Sequence, residues 1–151
     1  MPIRSVVTRR AQLDSAFTRV AGTAGDIELQ AHFARYLCVL VSGYVEQCVQ
    51  DILADFATHG PPRLSRYVAR TVARQNVNTE VLMQIVENFD ADWRDRLAEF
   101  VQGERKAALD SVVINRHNIA HGRPSSISYV QVSEYYERIK EIIDYLGDLA
   151  R

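Results

Sequence analysis

The residues best suited to chemistry in this 151-residue sequence lie together in its last third, between Ile114 and Gly122. Arg116 is followed five residues later by His121. An imidazole can take a proton from a ribose 2′-hydroxyl or give one to a leaving 5′-oxygen. A guanidinium can hold a phosphate through two parallel hydrogen bonds and stabilise its developing charge. The pair therefore has the residue types needed to cleave RNA without a metal ion.

The spacing of the two residues predicts where their side chains point. On an ideal helix, five residues turn two side chains about 140° apart, so Arg116 and His121 share no face. Gly122 follows directly, and glycine favours the left-handed conformation that ends a helix. Release of the last turn would let both side chains enter one cleft, particularly a cleft closed by a second subunit. The alternative is structural: Arg116 pairs with Asp110 or a neighbouring helix, and His121 bonds a carbonyl at the helix end.

His117 adds a second histidine four residues before His121, a spacing that suits two metal ligands on one helical face. No third ligand lies close in sequence. The zinc-hydrolase motif H-E-x-x-H also needs a glutamate directly after its first histidine, and Asn118 stands there instead. The sequence therefore predicts neither a zinc hydrolase nor a bound cofactor.

Basic charge is concentrated in a second segment, which we call the arginine stripe. No acid lies between Phe56 and Thr79, whereas the spacings of three, four and four residues place four arginines on one helical face: Arg63, Arg66, Arg70 and Arg74. Such a stripe either tracks an RNA backbone or is a solvated surface, and charge alone favours neither. The net charge of −1 excludes a general polyanion-binding protein.

Helical periodicity extends over almost the whole sequence. An apolar content of 47% and a charged content of 25% are ordinary for a soluble globular domain. Apolar positions at 7, 13, 17 and 20 predict a first helix, and a long helix begins after Asp26 and stops at the glycine and prolines of 60–62. Shorter helices are predicted over 63–74, 80–88, from 90 to 103, over 104–121, and from Ser128 to 149. The pattern indicates an all-α bundle of about six to seven helices in a single domain, residues 1–151.

Cysteine placement and hydropathy bear on the compartment. Cys38 and Cys48 lie on the long predicted helix, about 15 Å apart along its axis and beyond disulfide reach. We predict free thiols, as in a reducing cytoplasm. No stretch is expected to be long and apolar enough to span a bilayer, and the N-terminus has no secretory signal pattern. These features predict a cytoplasmic protein that does not act in a membrane.

The run R-H-N-I-A-H-G from Arg116 to Gly122 resembles the motif of HEPN (higher eukaryotes and prokaryotes nucleotide-binding) domains. It is most similar to the R-N-x-I-A-H-G form of the RiboL-PSP branch. Arg116 and His121 match the two defining positions, whereas His117 stands where that branch more often has asparagine. The resemblance extends loosely over most of the chain and implies a HEPN-like helical bundle.

The resemblance also implies a function. HEPN members of this kind are metal-independent endoribonucleases with paired motifs at a homodimer interface, which would make Arg116 and His121 catalytic and His117 and Asn118 accessory. The expected partners are RNA, a second copy and, for the toxin of a toxin–antitoxin or phage-defence system, an antitoxin protein. The alternative is a non-catalytic HEPN-like module that binds RNA or a nucleotide, or serves assembly.

Glu46 is a further candidate, because it lies deep in the long helix beside the small residues Ser42 and Gly43. Small neighbours allow another helix to approach closely, and the resemblance implies an acid at this place. Glu46 is thus expected either to orient Arg116 or His121, or to be an exposed charge.

Overall fold

The structure, a computed structural model, describes residues 2–72 and 76–151, without the side chains of residues 65, 69, 71 and 72. Over these residues the chain forms seven helices and no strand. The prediction of an all-α bundle is confirmed. The helices are α1 (Arg4–Ala21), α2 (Ile27–Ala57), α3 (Pro62–Val72), α4 (Thr79–Glu87), α5 (Ala91–Phe100), α6 (Glu104–Ala120) and α7 (Tyr129–Leu149).

Four of the described helices, α2, α4, α5 and α7, begin at side chains that accept hydrogen bonds from free backbone N–H groups of the first turn. The carboxylate of Asp26 accepts from Leu29, and Ser128 forms a reciprocal capping box with Gln131. Asp90 caps α5 in the same way as Asp26 caps α2. Asn78 caps α4, because its side-chain oxygen accepts from the N–H of Val81. These local signals therefore fix most of the helix starts.

The long helix α2 is the centre of the bundle. It packs against α1, α3, α6 and α7. Its buried residues lie on more than one side: Ala34, Leu37, Cys38, Val41, Ser42, Tyr44, Val45, Cys48, Val49, Ile52, Leu53 and Ala57. Each helix that could carry function is therefore positioned relative to α2.

The apolar face of α1 differs by one residue from the prediction. Val6 is buried, whereas Val7 is 49% exposed. The physical reason is helical phase. Leu13 lies seven residues after Val6, which is close to two full turns, so these two side chains share a face. Leu13 lies only six residues after Val7, which places those two side chains on different faces. The prediction of Val7 as a core residue was wrong, and Val6 takes its place.

The motif helix α6 runs antiparallel to α7. Near the start of α6, Arg105 forms an ion pair with Glu141 at 2.9 Å. At the other end, the Ser125 hydroxyl donates to the Asn115 side-chain oxygen at 2.7 Å, across the loop that joins the two helices. Asn115 in turn donates to the Ser111 carbonyl. The loop after the motif is therefore tied back onto the helix that carries the motif.

By length and composition alone, α2 could cross a membrane, so the expectation that no stretch qualifies was wrong. Yet 56% of its most apolar 18-residue window is buried inside the bundle. Burial of this extent is typical of the central helix of a helical bundle, where four neighbours cover the apolar surface. We therefore interpret α2 as the core helix.

Both cysteines are free and buried, as predicted. The Cys38 thiol donates to the carbonyl oxygen of Val112 at 3.4 Å, which places it against α6. Burial raises the pKa of Cys38 to about 11 and that of Cys48 to about 12. Both thiols are thus protonated at neutral pH and are not nucleophiles.

Candidate functional site at the end of the sixth helix

The end of α6 is a Schellman cap. Gly122 has a φ of 66° and its N–H donates to the carbonyl of Ile119, while the N–H of Arg123 donates to the carbonyl of Asn118 at 2.8 Å. His121 is the last residue before the reversal. The helix ends within two residues of Gly122, as the sequence predicted, and His121 is left at the exposed tip of the helix.

His117 and His121 lie side by side at this tip. Both side chains are exposed, and their ring centroids are 4.3 Å apart with a tilt of 50° between the rings. Within the described part of the chain, neither ring forms a hydrogen bond, so His121 does not bond a carbonyl as the structural alternative required. The ring nitrogens are thus available to a ligand.

Arg116 occupies a different environment, half-buried on the side of α6 that faces α2. Burial raises the pKa of the nearby Glu46 carboxyl, and the positive charge of Arg116 partly opposes that shift. No hydrogen bond or ion pair within 4.0 Å joins the two side chains among the residues that the structure describes. Glu46 thus interacts with Arg116 through longer-range electrostatics, and it partly balances the positive charge of Arg116.

The structural alternative for Arg116 was an ion pair with Asp110, and the structure gives Asp110 other partners. Its carboxylate accepts from the Lys106 ammonium at 2.8 Å and from the backbone N–H of Thr79 at 2.9 Å. Asp110 thus connects α6 to the start of α4. Among the described residues, no carboxylate forms an ion pair with the Arg116 guanidinium.

Besides Glu46, the same face of α2 carries two residues that the sequence analysis did not assign to the site, Cys38 and Ser42. Cys38, Ser42 and Glu46 follow at intervals of four along α2 and share one face, which Cys38 places against α6. The Ser42 hydroxyl oxygen is buried and has no hydrogen-bond partner among the described residues. The i, i+4 spacing from Glu46 was the signal that could have identified this row.

A family model described as RiboL-PSP-HEPN matches residues 7–150 of this chain, a range that includes the motif. The chain belongs to the RiboL-PSP-HEPN family. No curated protein and no solved structure gives a match. Membership in a HEPN family points to a ribonuclease or another RNA-related function.

The arginine stripe of this HEPN domain lies on α3. Arg63, Arg66 and Arg70 are exposed, and none forms an ion pair with a described acid. Arg74, the fourth predicted member, lies outside the described residues. The arginine stripe does not pack against the motif helix, because α3 packs on α2, whereas α6 packs on α2 and α7. The three arginines form a separate basic surface.

The motif of this HEPN domain does not have the ligand set of a closed metal centre. Across residues 2–72 and 76–151, no group of three or more histidine, cysteine, aspartate or glutamate side chains is placed to hold a metal ion. Asn118, predicted as an accessory residue, is half-buried, and its carbonyl closes the Schellman cap. The motif thus offers imidazoles, a guanidinium and a glycine-capped helix end.

Proposed function

We propose that this HEPN domain is a metal-independent endoribonuclease in which Arg116 and His121 act on the scissile phosphate. The observation that carries the proposal is the exposed, unbonded His121 ring at the glycine-capped end of α6, five residues after Arg116, in a chain of a HEPN family. An exposed imidazole is accessible to a 2′-hydroxyl, and a guanidinium without a short carboxylate contact can bind a phosphate.

The reaction transfers protons and breaks one bond. The 2′-oxygen loses its proton and attacks phosphorus, the bond from phosphorus to the 5′-oxygen breaks, and the leaving 5′-oxygen takes up a proton. His121 carries the proton transfer, and Arg116 stabilises the negative charge that builds on the phosphoryl oxygens. The products are a 2′,3′-cyclic phosphate and a 5′-hydroxyl.

A second copy would complete the site. Within one chain Arg116 turns towards α2 and His121 points to solvent. The exposed face at the helix tip also includes Ile114, which is 61% exposed and lies three and seven residues before the two histidines. Ile114 offers apolar contact area on this face, and a twofold homodimer would bring both motifs to one groove.

We expect light scattering to show a dimer, and Ile114→Glu to shift it towards monomer because a charge would be buried in the interface. Val7→Glu is the matched control, since Val7 is an exposed apolar residue on α1. A parent protein that stays monomeric at high concentration would contradict the dimer.

The exposed arginines of α3 are proposed to bind the RNA backbone outside the groove. Replacing Arg63, Arg66 and Arg70 with glutamine should weaken RNA binding and reduce the slope of log affinity against log salt by about 0.7 for each phosphate that the stripe neutralises. Fluorescence anisotropy of labelled single-stranded RNA over a salt series measures both effects. Arg96→Gln, which replaces an exposed arginine on α5, is the control. An unchanged slope in the triple variant would make the stripe a solvated surface.

The cellular role proposed here is that of a toxin, in a toxin–antitoxin or phage-defence system, held in check by an antitoxin protein. Cleavage of cellular RNA stops growth, which is the effect such systems require. We place the protein in the cytoplasm, where its two free thiols stay reduced.

The direct test is incubation of the purified chain with mixed RNA in EDTA, followed by determination of the product ends. We expect cleavage with 2′,3′-cyclic phosphate and 5′-hydroxyl ends. Intact RNA that remains bound to the protein would instead support a non-catalytic RNA-binding module.

A further inference from the structure

We propose that His117 and His121 form a two-histidine chelate for a divalent transition-metal ion such as Zn²⁺, and that the bound ion blocks the motif. The binding half of the proposal depends only on the geometry of the two rings. The blocking half rests on the proposed ribonuclease function.

The geometry of the two rings suits a shared ion. Imidazole nitrogens bind Zn²⁺ at about 2.0–2.1 Å, so two rings in neighbouring coordination positions have centroids roughly 4.5–5.2 Å apart. The observed separation of 4.3 Å is slightly shorter. Both side chains are exposed, and neither ring nitrogen is occupied by a hydrogen bond to a described residue. Rotation about the side-chain bonds of the two histidines would separate the rings slightly and bring one nitrogen of each to a shared ion.

The surrounding charges are compatible with a cation. The rings lie at the C-terminal end of α6, where the helix dipole is negative and attracts positive charge. Arg116 faces α2 and the Glu46 carboxylate, so its charge is partly balanced on the far side of the helix. Arg123 is exposed just beyond the cap, two residues after His121, and its positive charge opposes a bound cation. Its long side chain can extend into solvent.

The proposed metal site would have open coordination positions, and these determine how tightly the ion is held. Two imidazoles leave the remaining coordination positions to water, and the described residues provide no third ligand. Such an ion is exchangeable rather than a permanent part of the fold. A ring nitrogen that binds metal cannot carry a proton, so an ion bound to His121 removes the proton carrier of the proposed reaction.

The residue at position 117 supplies the second ligand of the chelate. An amide in its place would offer a far weaker ligand to Zn²⁺ than an imidazole. His117→Asn is therefore the informative variant, because it removes one ligand and keeps a polar side chain.

Binding is tested by isothermal titration of Zn²⁺ into the full chain after EDTA has been removed. We expect one ion for each chain, with an affinity that falls on the order of 100-fold in His117→Asn and in His121→Asn, because the second ligand acts at high effective concentration. His59→Asn, which replaces an exposed histidine on the turn after α2, should bind as the parent does. Mg²⁺ should not bind, since imidazole does not suit it. Equal Zn²⁺ affinity in the parent and His117→Asn overturns the chelate.

Blocking is tested by the Zn²⁺ concentration that halves the rate of RNA cleavage, measured for each variant. The parent and His59→Asn should be inhibited at the same concentration, and this concentration should be at least tenfold higher for His117→Asn. Full activity of the zinc-loaded parent overturns the blocking role. Failure of the ribonuclease proposal is distinguishable, because cleavage would then be absent without Zn²⁺ while the titration still decides whether the chelate exists.

Discussion

His121→Ala is expected to lower the rate of RNA cleavage in EDTA by about 10²–10⁴-fold, because it removes the proposed proton carrier. The rate should be measured under single-turnover conditions with an end-labelled RNA. His59→Ala is the matched control, since it removes an exposed histidine outside the motif. The melting temperature should stay close to that of the parent, because the His121 side chain is exposed and makes no described hydrogen bond.

Two results would contradict this role for His121. One is a His121→Ala protein that cleaves as fast as the parent. The other is cleavage that requires added metal and leaves 5′-phosphate ends, which would mean attack by a metal-activated water rather than by the 2′-hydroxyl.

Arg116→Ala should reduce cleavage by about 10²–10³-fold, the effect typical of removing one group that stabilises the developing charge. Arg116→Lys should restore little of the rate, since a point charge cannot reproduce the two parallel hydrogen bonds of a guanidinium. Both rates are measured in the same single-turnover assay. Arg96→Ala and Arg96→Lys on α5 are the controls for a change of surface charge.

The Lys variant also separates two interpretations of Arg116. If Arg116 only balances the charge of Glu46, lysine should restore full activity, because it carries the same charge. If Arg116 holds the phosphate, Arg116→Lys should stay close to Arg116→Ala. Unfolding of Arg116→Ala would show instead that the side chain mainly stabilises the packing of α6 on α2.

The sequence predicted the helices and their ends well because those features depend on neighbours along the chain. Asp26, Asp90 and Ser128 cap helices through residues two or three positions away, and Gly122 ends α6 through bonds to the preceding turn. The one phase error, Val7 for Val6, arose where several apolar residues crowd the start of α1 and only packing against the rest of the bundle selects among them.

The candidate site was predictable only in part. The i, i+4 spacing of His117 and His121 predicted their proximity, which the structure shows directly. The environment of Arg116 depends on how α6 crosses α2, and no local pattern gives that crossing. The same holds for Asp110, whose bond to the Thr79 N–H joins residues 31 positions apart. Contacts between helices distant in sequence are set by the whole bundle.

The cap at Gly122 bears on how the proposed ribonuclease activity could be lost in evolution. Its positive φ disfavours any residue with a β-carbon by about 1–2 kcal/mol, although no neighbour would obstruct the added atom. A substitution there removes no reactive group, but it destabilises the turn that ends α6 next to His121. If the activity harms the cell that makes it, surviving lineages should therefore carry changes at Gly122 as well as at the histidine, and a chain with the complete Arg–His pair but without this glycine would be suspected of being inactive.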